Sequence, residues 1–556
     1  MIRAALSKIK ARLVKAPASS INPEDYNIVK EGTAEILFPK KESVFYNPIQ
    51  QFNRDLSVCC IKAWDNLYGQ DFRAKKRRKN RKGSLSKVEE EQESDNSRKR
   101  RKLEDNKVEE SKAQPPVTPY IKILEALSAT GLRAIRYAQE IPNVKEIIAN
   151  DLIPDAVDSI QRNVEFNHVQ DLVKPNLDDA NVLMYRNKAN NTKYHVIDLD
   201  PYGTVTPFVD SALQTIEEDG LMLVTCTDLS VLAGNGYPEK CFALYGGVNM
   251  VSHESTHESA LRLVLNLLSQ SAAKYKKTIE PLLSLSIDFY VRVFIKVKTS
   301  PIEVKNLQSK TMITYHCSQC GSYHSQPLGR ASERLTRKGK PYTKYSVAQG
   351  PPVDGKCQFC GGTYHLAGPM FGGPLHNKEF IDEVLRINRE EHNDSVYGTR
   401  KRIEGMLTLA KNELPDASFY FSPNHLSSIL KLQVPPLKKI VAGLGSLGYN
   451  CSLTHAQPSS LKTDAPWSAV WYVMKQSDDN VKDKDVESMS ATSVGYKILA
   501  NQSNWISDED KKNFEKLSFS PNEQSGHIER LRRLKIVRYQ ENPTKNWGPK
   551  ARPSNN

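Results

Sequence analysis

Long apolar runs are missing from this chain. No stretch approaches the roughly 18 apolar residues that a membrane-spanning helix requires, so the sequence predicts no membrane span. Its nine cysteines lack a disulfide-like framework. The chain has 556 residues, 39% of them hydrophobic, which is enough for two or three domains with their own core. This combination indicates a reducing compartment, where paired cysteines hold metal.

Glycine is scarce where a dinucleotide-binding loop would need it. The segment 127–131, LSATG, lies between a predicted strand and a predicted helix but holds only one glycine, Gly131. Small residues let backbone N–H groups approach a ligand there, and the missing glycines favour a ligand without phosphates. Asp151 ends the next strand, 151 − 131 = 20 residues later, where a carboxylate accepts ribose hydroxyls. An ordinary tight turn and an N-capping aspartate are the structural alternatives.

Positive charge is in excess. Lys plus Arg number 78 against 64 Asp plus Glu, and the net charge of +14 suits a polyanionic partner, although basic charge without a nucleic-acid role is the alternative. Basic runs at 75–82 and 98–102 lie in a charged stretch, 72–116, that predicts a disordered insertion. These runs fit a nuclear localisation signal, an RNA-binding arm or a solvated surface. Residues 1–20 lack acids and resemble a mitochondrial presequence, with a frayed basic terminus as the alternative. Together with the basic runs, this segment predicts localisation of the protein to the nucleus and the mitochondrion.

From Tyr120 onwards the pattern alternates between strands and helices, which predicts an α/β fold with a mainly parallel sheet. The predicted strands are 121–126, 146–149, 195–199 and 221–225, with a late strand, antiparallel in one interpretation, at 289–298. The predicted helices are 132–140, 154–167 and 261–274. Helices at 425–432 and 436–447 followed by a strand at 467–474 predict a winged-helix-like module.

The segment Asp200-Pro201-Tyr202 follows the strand predicted at 195–199 and looks like the Asp/Asn-Pro-Pro-Tyr/Phe signature of amino-group methyltransferases. An exocyclic amine such as guanine N2 is a poor nucleophile. The Asp200 carboxylate and the Pro201 carbonyl can accept its two N–H bonds and stabilise the developing positive charge. The Tyr202 ring can stack on a flipped base. Asp198 points to the same face of the strand and is expected to support Asp200. A capped turn with a surface tyrosine is the structural alternative.

These segments together resemble the tRNA (guanine-26-N2)-dimethyltransferase family, and its fungal members in particular. The resemblance runs from Phe38 to about Met474, apart from the charged insertion. Its carriers are VFYNPIQQFNRDLS (44–57), EALSATGLRAIRYA, NDLIPDAV, PNLDDANV, VIDLDPYGT and GNGYPEKCFALYGG (234–247). It implies a class I S-adenosylmethionine-dependent methyltransferase fold (Rossmann-like), that cofactor, and two successive methyl transfers to guanosine 26 of tRNA.

The resemblance also assigns site residues. The cofactor contacts fall on Arg54, Arg133, Asp151, Asp179 and Ala180. Arg136, one turn after Arg133, is the alternative contact. The catalytic carboxylate falls on Asp200, and the aromatic residues flanking the guanine fall on Phe45 and Tyr202. If the family usually has Phe at the second aromatic position, Tyr202 departs from it, but its ring can still stack.

Four cysteines occur as two C-x-x-C pairs, Cys317/Cys320 and Cys357/Cys360, separated by 357 − 320 − 1 = 36 residues. Two such pairs predict a tetrahedral Zn²⁺ site, which is structural because four thiolates leave no open position. The gap exceeds that of a short zinc ribbon, but an inserted loop is tolerated. Free buried thiols are the alternative. His316, His324 and His365 are nearby alternative ligands, each expected to be a bystander.

The sequence of the C-terminal half predicts that this part of the chain binds tRNA. Four basic residues, together with the aromatic segment 419–421, should contact the phosphates of the tRNA backbone and recognise its shape. These basic residues are Lys431, Lys438, Lys439 and Lys462.

The sequence as a whole predicts a targeting segment (1–20), a methyltransferase domain (21–300), a zinc-binding and winged-helix-like tRNA-binding domain (301–476) and a charged extension (477–556). A monomer is compatible with the sequence.

Two other functions fit parts of the sequence. Cys226 lies at the end of the strand predicted at 221–225, where it could serve as the nucleophile of a C5-pyrimidine RNA methyltransferase. A non-catalytic tRNA-binding or chaperone protein could also be built from zinc and winged-helix modules. The amino-group motif at Asp200 argues against both functions.

Overall fold

The computed structural model describes residues 23–40, 46–69, 118–478, 489–534 and 537–538. The expected presequence, the charged insertion and Phe45 lie outside the described residues. Among the described helices, none is both long enough and apolar enough to cross a membrane.

A seven-stranded sheet forms the centre of the first 300 residues. Its strands are β3 (Ile121–Glu125), β4 (Val144–Asp151), β5 (Val173–Leu177), β6 (Tyr194–Leu199), β7 (Ile216–Cys226), β8 (Lys277–Ile287) and β9 (Tyr290–Thr299), after a hairpin of β1 (Tyr26–Glu31) and β2 (Ala34–Pro39). The spatial order is β5-β4-β3-β6-β7-β9-β8. Strands β3 to β7 pair in parallel, whereas β9 pairs antiparallel with β7 and β8. The prediction of a mainly parallel sheet with a late antiparallel strand is confirmed.

Helices cover both faces of this sheet. They are α1 (51–69), α2 (Leu132–Glu140), α3 (Pro154–Phe166), α4 (Ala180–Ala189), α5 (Val209–Thr215), α6 (Leu229–Leu232), α7 (Pro238–Tyr245) and α8 (Thr256–Ala273). Their starts follow local chemistry: Pro154 occupies the first turn of α3, and the Asp179 side chain accepts hydrogen bonds from backbone N–H groups of α4. The chain order reverses between β3 and β6, so a ligand crevice is expected outside their carboxyl ends.

The second half of the chain builds smaller sheets and more helices. Strands β10 (Thr311–Cys317), β11 (Tyr323–Pro327) and β14 (Tyr364–Phe371) form one sheet, and the pairs β12 (Gly329–Leu335) with β13 (Pro341–Val347) and β15 (Cys451–Leu453) with β16 (Leu461–Thr463) form two-stranded ribbons. The helices are α9 (Pro301–Val304), α10 (Lys378–Glu390), α11 (Arg400–Asn412), α12 (Pro423–Leu430), α13 (Leu437–Ser446), α14 (Trp467–Gln476), α15 (Val494–Ala500), α16 (Gln502–Trp505), α17 (Asp508–Phe514) and α18 (Glu523–Arg533).

The two halves share their hydrophobic cores. Buried residues of α10 and α11, including Phe380 and Leu407, belong to the same cluster as Phe52 of α1 and Ile123 of β3. On the other side of the sheet, Met370 of β14 packs into the cluster of α8. Helices α15 to α18 bury side chains against α12 to α14, so part of the tail beyond residue 477 is packed structure.

The strand predicted at 467–474 is wrong, because this segment forms α14. Its residues are apolar and aromatic, a composition that also suits a buried strand, and periodicity alone does not separate the two for a short run. Burial on most sides, from Trp467 through Met474, explains why the helical pattern is hidden. The short ribbon β15–β16 lies before α14 instead, and the winged-helix interpretation stays a prediction.

The expected tRNA contacts at Lys462 and at 419–421 are also wrong. Lys462 is only 2% exposed, and its ammonium lies 3.1 Å from a Glu258 oxygen and 3.2 Å from a Glu413 oxygen. Phe419, Tyr420 and Phe421 are buried as well. Glu258 belongs to α8, whereas Glu413 follows α11, so the lysine neutralises two carboxylates where the two halves of the chain meet.

Replacing Lys462 with Met should leave Glu258 and Glu413 buried with one cation fewer and destabilise the fold by about 3–5 kcal/mol. The measurement is the urea unfolding midpoint. The matched control is Lys438→Met: Lys438 is exposed and lies 3.8 Å from Glu529, and losing a surface pair costs at most about 1 kcal/mol. Equal destabilisation of both variants would contradict the role of this buried junction.

Candidate active site and metal centre

The loop between β3 and α2 forms the first wall of the crevice. Ala129 and Gly131 adopt left-handed conformations, with φ of 51° and 78°. A side chain at Gly131 would also press against Ile160 of α3. The Asp151 carboxylate at the end of β4 accepts hydrogen bonds from the backbone N–H of Ala129 at 2.9 Å and of Ile153 at 3.0 Å. The turn is therefore held by the aspartate that the sequence assigned to the cofactor.

Two further residues connect the loops of this edge. The Asn150 side chain donates to the Ala126 carbonyl at 3.0 Å and to the Asp178 carbonyl at 3.1 Å, which joins the loops after β3 and β5. Asp179 uses its carboxylate to cap α4 and so directs Ala180 into the first turn of that helix. Asp151 thus ends β4, and Asp179 and Ala180 follow the neighbouring strand β5 at the start of α4.

Arg133 of α2 links Asp198 of β6 to Asp200, which directly follows that strand. Its guanidinium lies 3.2 Å from the Asp198 carboxylate and also forms an ion pair with Asp200. Arg133 is 6% exposed, and the Asp198 side chain is fully buried, whereas the Asp200 side chain keeps 18% of its surface exposed. One cation therefore lies between an internal carboxylate and one at the edge of the crevice.

A second buried cation completes this cluster. Arg292 of β9 lies 2.9 Å from the other Asp198 oxygen and donates to Ser57 of α1 at 2.8 Å, while the Tyr137 hydroxyl donates to Asp198 at 2.6 Å. Burial alone would raise the pKa of the Asp198 carboxyl, but Arg292 and Arg133 outweigh it and hold the pKa below its usual value. Asp198 is therefore an anion that fixes Arg133 in place.

The neighbouring acid at the end of β3 behaves differently. Burial raises the pKa of the Glu125 carboxyl to about 8, against the opposing effect of Arg133. The Ser128 hydroxyl and the Ala134 backbone N–H both donate to Glu125. Glu125 thus ties the β3 loop to the start of α2, and burial favours its neutral form although the Arg133 guanidinium lies 3.8 Å away.

The loop after β6 presents an aromatic ring at the crevice. Pro201 is buried and Tyr202 is 52% exposed. The backbone of Gly203 is tied to Thr227 beyond β7 by two hydrogen bonds, one from Gly203 N–H to the Thr227 hydroxyl at 2.8 Å and one from Thr227 N–H to the Gly203 carbonyl at 2.9 Å. This loop is therefore held from both sides.

The two remaining arginines of the sequence motifs lie in another buried network. Arg54 pairs with Glu31 and donates to the Asn47 carbonyl at 3.1 Å. Arg136 lies 2.9 Å from Glu31 and 2.7 Å from Asp55. Burial opposes ionisation of Glu31, but the two arginines lower the pKa of its carboxyl to about 2. Arg136 is fully buried in these pairs, and the cofactor role of Arg54 stays a prediction.

Cys226 lacks the properties of a nucleophile. Its side chain is fully buried, and burial together with the nearby Asp228 carboxylate raises the pKa of the thiol to about 12. A thiolate is the reactive form of cysteine. The structure therefore argues against the C5-pyrimidine alternative.

The four cysteines of the two C-x-x-C pairs converge. Their sulfur atoms all lie within 4.8 Å of one another, with Cys317 and Cys360 at 3.4 Å and Cys320 and Cys357 at 3.7 Å. A tetrahedral Zn²⁺ with Zn–S bonds of about 2.3 Å requires sulfurs roughly 3.8 Å apart. The donor set fits zinc, and the histidine alternatives do not belong to this group of ligand atoms.

The two C-x-x-C pairs lie in turns that have the same hydrogen bonding. The Gly321 N–H donates to the Cys317 carbonyl and the Gly361 N–H to the Cys357 carbonyl, both glycines having left-handed φ near 70°. Ser322 follows the first turn and accepts a hydrogen bond at 2.9 Å from the Trp471 indole of α14. The metal centre thereby joins the β10–β14 sheet to the C-terminal helices.

The residues that the sequence analysis missed are those that hold the site residues and their loops in place through hydrogen bonds and ion pairs. They are Ser57, Glu125, Tyr137, Asn150 and Arg292. Ser57, Glu125, Tyr137 and Asn150 stand within the motif segments, but only three-dimensional contact separates their roles from those of their neighbours. Arg292 lies on a late strand and carries no local signal.

Known proteins resemble the chain along most of its length. The TRM family, N2,N2-dimethylguanosine tRNA methyltransferase, matches residues 19–475. The mitochondrial tRNA (guanine(26)-N(2))-dimethyltransferase of Saccharomyces cerevisiae is 72% identical over 558 residues, covering all of this chain and 97% of that protein. The tRNA (guanine(26)-N(2))-dimethyltransferase of Schizosaccharomyces pombe is 46% identical over 529 residues, covering 94% of this chain and 92% of that protein.

One solved structure supports the fold. Trm1 from Pyrococcus horikoshii, in complex with S-adenosyl-L-methionine, superimposes with a TM-score of 0.59 at 24% identity, covering 80% of this chain and 99% of that chain. The likeness concerns the fold alone at this level of identity. The family resemblance and the α/β methyltransferase fold expected from the motifs are thereby confirmed.

Purified full-length protein should contain one zinc ion per chain, because the four sulfurs complete a tetrahedral site. Cys357→Ser should abolish stoichiometric zinc and lower the thermal melting temperature, with zinc measured by inductively coupled plasma mass spectrometry. Cys451→Ser, a change at a half-buried cysteine outside the cluster, should retain the metal. Full zinc content in the Cys357→Ser protein would refute the assignment.

Proposed function

This chain belongs to the N2,N2-dimethylguanosine tRNA methyltransferase family, and from that premise we propose how its residues perform the reaction. The protein is an S-adenosylmethionine-dependent tRNA methyltransferase that converts guanosine 26 to N2,N2-dimethylguanosine. The observation that carries our residue assignment is Asp200 at the carboxyl end of β6, paired with Arg133 and followed by the exposed Tyr202.

Residues at the carboxyl ends of β3, β4 and β5 would hold the cofactor. Asp151 binds the ribose hydroxyls: its two oxygens offer about four acceptor sites, and the two backbone N–H groups use only part of them. Asp179 and Ala180 border the adenine from the start of α4. Arg54 and Arg133 complete the family's set of contacts, and Arg133 reaches the crevice through its pair with Asp200.

The target guanine leaves its stack and lies against Tyr202, with Phe45 as the second ring. Asp200 accepts one N–H of the exocyclic amine and the Pro201 carbonyl accepts the other, which directs the N2 lone pair towards the methyl group. S-adenosylmethionine, when bound, would supply that methyl group from its sulfonium, and the electron pair of the broken carbon–sulfur bond would stay on sulfur. Asp200 then takes the amine proton, directly or through water.

Arg133 stabilises the ionised carboxylate of Asp200 and orients it. Partial burial of the Asp200 carboxylate carries a desolvation cost, and the paired guanidinium offsets that cost. The pair also fixes which way the carboxylate points. After the first transfer one N–H remains on the amine, and Asp200 orients it for the second methyl group.

We assign residues 21–300 to the catalytic unit, which includes the insertion 72–116, and 301–476 to the zinc-binding and tRNA-binding unit, with 477–556 as the charged extension. Lys431 and Lys438 are exposed and Lys439 is half-buried, which supports contacts of this unit with tRNA phosphates. Residues 1–20 and the basic runs at 75–82 and 98–102 support targeting to mitochondrion and nucleus, and the S. cerevisiae relative is named as mitochondrial.

Asp200→Asn should lower the methylation rate about 10²- to 10⁴-fold, because the amide cannot accept the proton that a carboxylate takes. Binding of tRNA should stay at the wild-type level. The measurements are nucleoside mass spectrometry of the product and a tRNA binding titration. Asp171→Asn, at an exposed turn before β5, is the control that should behave as wild type. Undiminished dimethylguanosine from Asp200→Asn would refute the catalytic assignment.

Cys226→Ala should leave methylation largely intact, since the thiol is buried and protonated at neutral pH. A small cavity could lower stability by about 1 kcal/mol, so activity is compared at a temperature where both proteins are folded. Complete loss of methyl transfer in a folded Cys226→Ala protein would favour a cysteine nucleophile instead.

A further inference from the structure

A β-ribbon interrupts the metal centre between its two cysteine pairs. Strands β12 and β13 pair antiparallel from Gly329 with Val347 to Leu335 with Pro341. The ribbon joins the β10–β14 sheet at its base, where Leu328 N–H donates to the Thr311 carbonyl at 2.8 Å and Ala348 N–H donates to the Leu328 carbonyl at 3.2 Å. Because the two C-x-x-C turns lie on either side of this insertion in the chain, the metal centre restrains both of its ends.

The ribbon carries a high density of positive charge. Residues 329–347 hold six Lys and Arg against one acid, Glu333, so their net charge is 6 − 1 = +5 out of +14 for the whole chain. Almost all its side chains are exposed or half-buried. Within the described part of the chain, none of the six cations forms an ion pair; they are Arg330, Arg334, Arg337, Lys338, Lys340 and Lys344.

The two faces of the ribbon differ in chemistry. Cross-strand pairs place Arg330 opposite Ser346, Ser332 opposite Lys344, and Arg334 opposite Tyr342. Alternation along a strand puts all these even-numbered side chains on one face. The odd-numbered face carries Ala331, Glu333, Leu335, Thr343, Tyr345 and Val347. The three cations of the paired strands, Arg330, Arg334 and Lys344, therefore lie on one face, whereas the single acid lies on the other.

This even-numbered face suits a phosphodiester backbone. Arg and Lys neutralise phosphates, and Ser and Tyr hydroxyls donate hydrogen bonds to phosphate oxygens without reading sequence. Arg330 and Arg334 are four residues apart, about 13 Å along a strand, so the face spans several nucleotides. A ribbon meant only for solubility would have no reason to sort its charges by face.

We propose that the even-numbered face of the β12–β13 ribbon binds the phosphate backbone of the tRNA outside the catalytic crevice. The inference rests on the proposed function, since it assumes that tRNA is the substrate. The metal centre then has a task beyond folding, because it positions this ribbon relative to the sheet that carries Asp200.

The test is a triple variant, Arg330→Gln, Arg334→Gln and Lys344→Gln, in the full-length zinc-loaded protein. Each lost phosphate contact should reduce the slope of log binding constant against log salt concentration by about 0.7–0.9, so the three together should reduce it by about 2–3. The KM for tRNA at about 200 mM KCl should rise at least tenfold, while the rate at saturating tRNA stays unchanged. Zinc content and the melting temperature verify the fold.

The matched control removes three charges elsewhere: Lys145→Gln, Lys174→Gln and Lys193→Gln, on or just before the strands of the large sheet. It should keep the wild-type salt slope, as should Arg330→Lys with Arg334→Lys, which preserves the charges. A wild-type slope and KM in the triple variant, with wild-type protein active, would overturn the proposal and favour an acidic protein as the partner of this face. Equal weakening in the control would also overturn it. Wild-type protein that forms no dimethylguanosine would instead refute the proposed function.

Discussion

The site depends on a single guanidinium placed between two carboxylates. Arg133 projects from α2 to Asp198, which is fully buried, and to Asp200, which reaches the crevice. Two carboxylates two residues apart, one buried and one at the edge of the crevice, would repel each other, and the cation between them offsets that repulsion. Arg292 on the antiparallel strand β9 pairs with Asp198 from the other side. The pair of Arg133 with Asp198 and Asp200 is thereby connected to β9, which lies almost a hundred residues further along the chain than β6.

The same physical solution recurs at the other junctions of the molecule. Glu31 of the first hairpin pairs with Arg54 and Arg136, which fastens β1 to the helices beside the sheet. Lys462 lies between Glu258 and Glu413 where the two halves of the chain meet. Buried ion pairs of this kind add modest net stability but are costly to break. They act here as fixed connections between segments that hydrophobic packing alone would leave free to shift.

Much of the fold could be predicted because local chemistry and periodicity agree. The helix beginning at Leu132 and the strands ending near Glu125 and Leu199 appear as expected, since their apolar positions match the period of each element. The segment from Trp467 was misjudged because a short apolar run fits a buried helix as well as a strand. Lys462 was misjudged because a lysine appears the same in sequence whether solvent or two carboxylates surround it.

The sequence by itself determined the chemistry: the Asp200-Pro201-Tyr202 segment, the aspartate at 151 and the two cysteine pairs carry their meaning in residue type and spacing. Tertiary structure alone decided the ion pairs of Arg133, Arg292 and Lys462 with Asp198, Asp200 and Glu258, because these pairs join residues far apart in the chain and no local pattern encodes them. It also decided which side chains see solvent. Arg133, Arg292 and Lys462 became buried partners of carboxylates, whereas the ribbon of residues 329–347 kept its cations exposed, since burying a charge is tolerated only where an opposite charge compensates it.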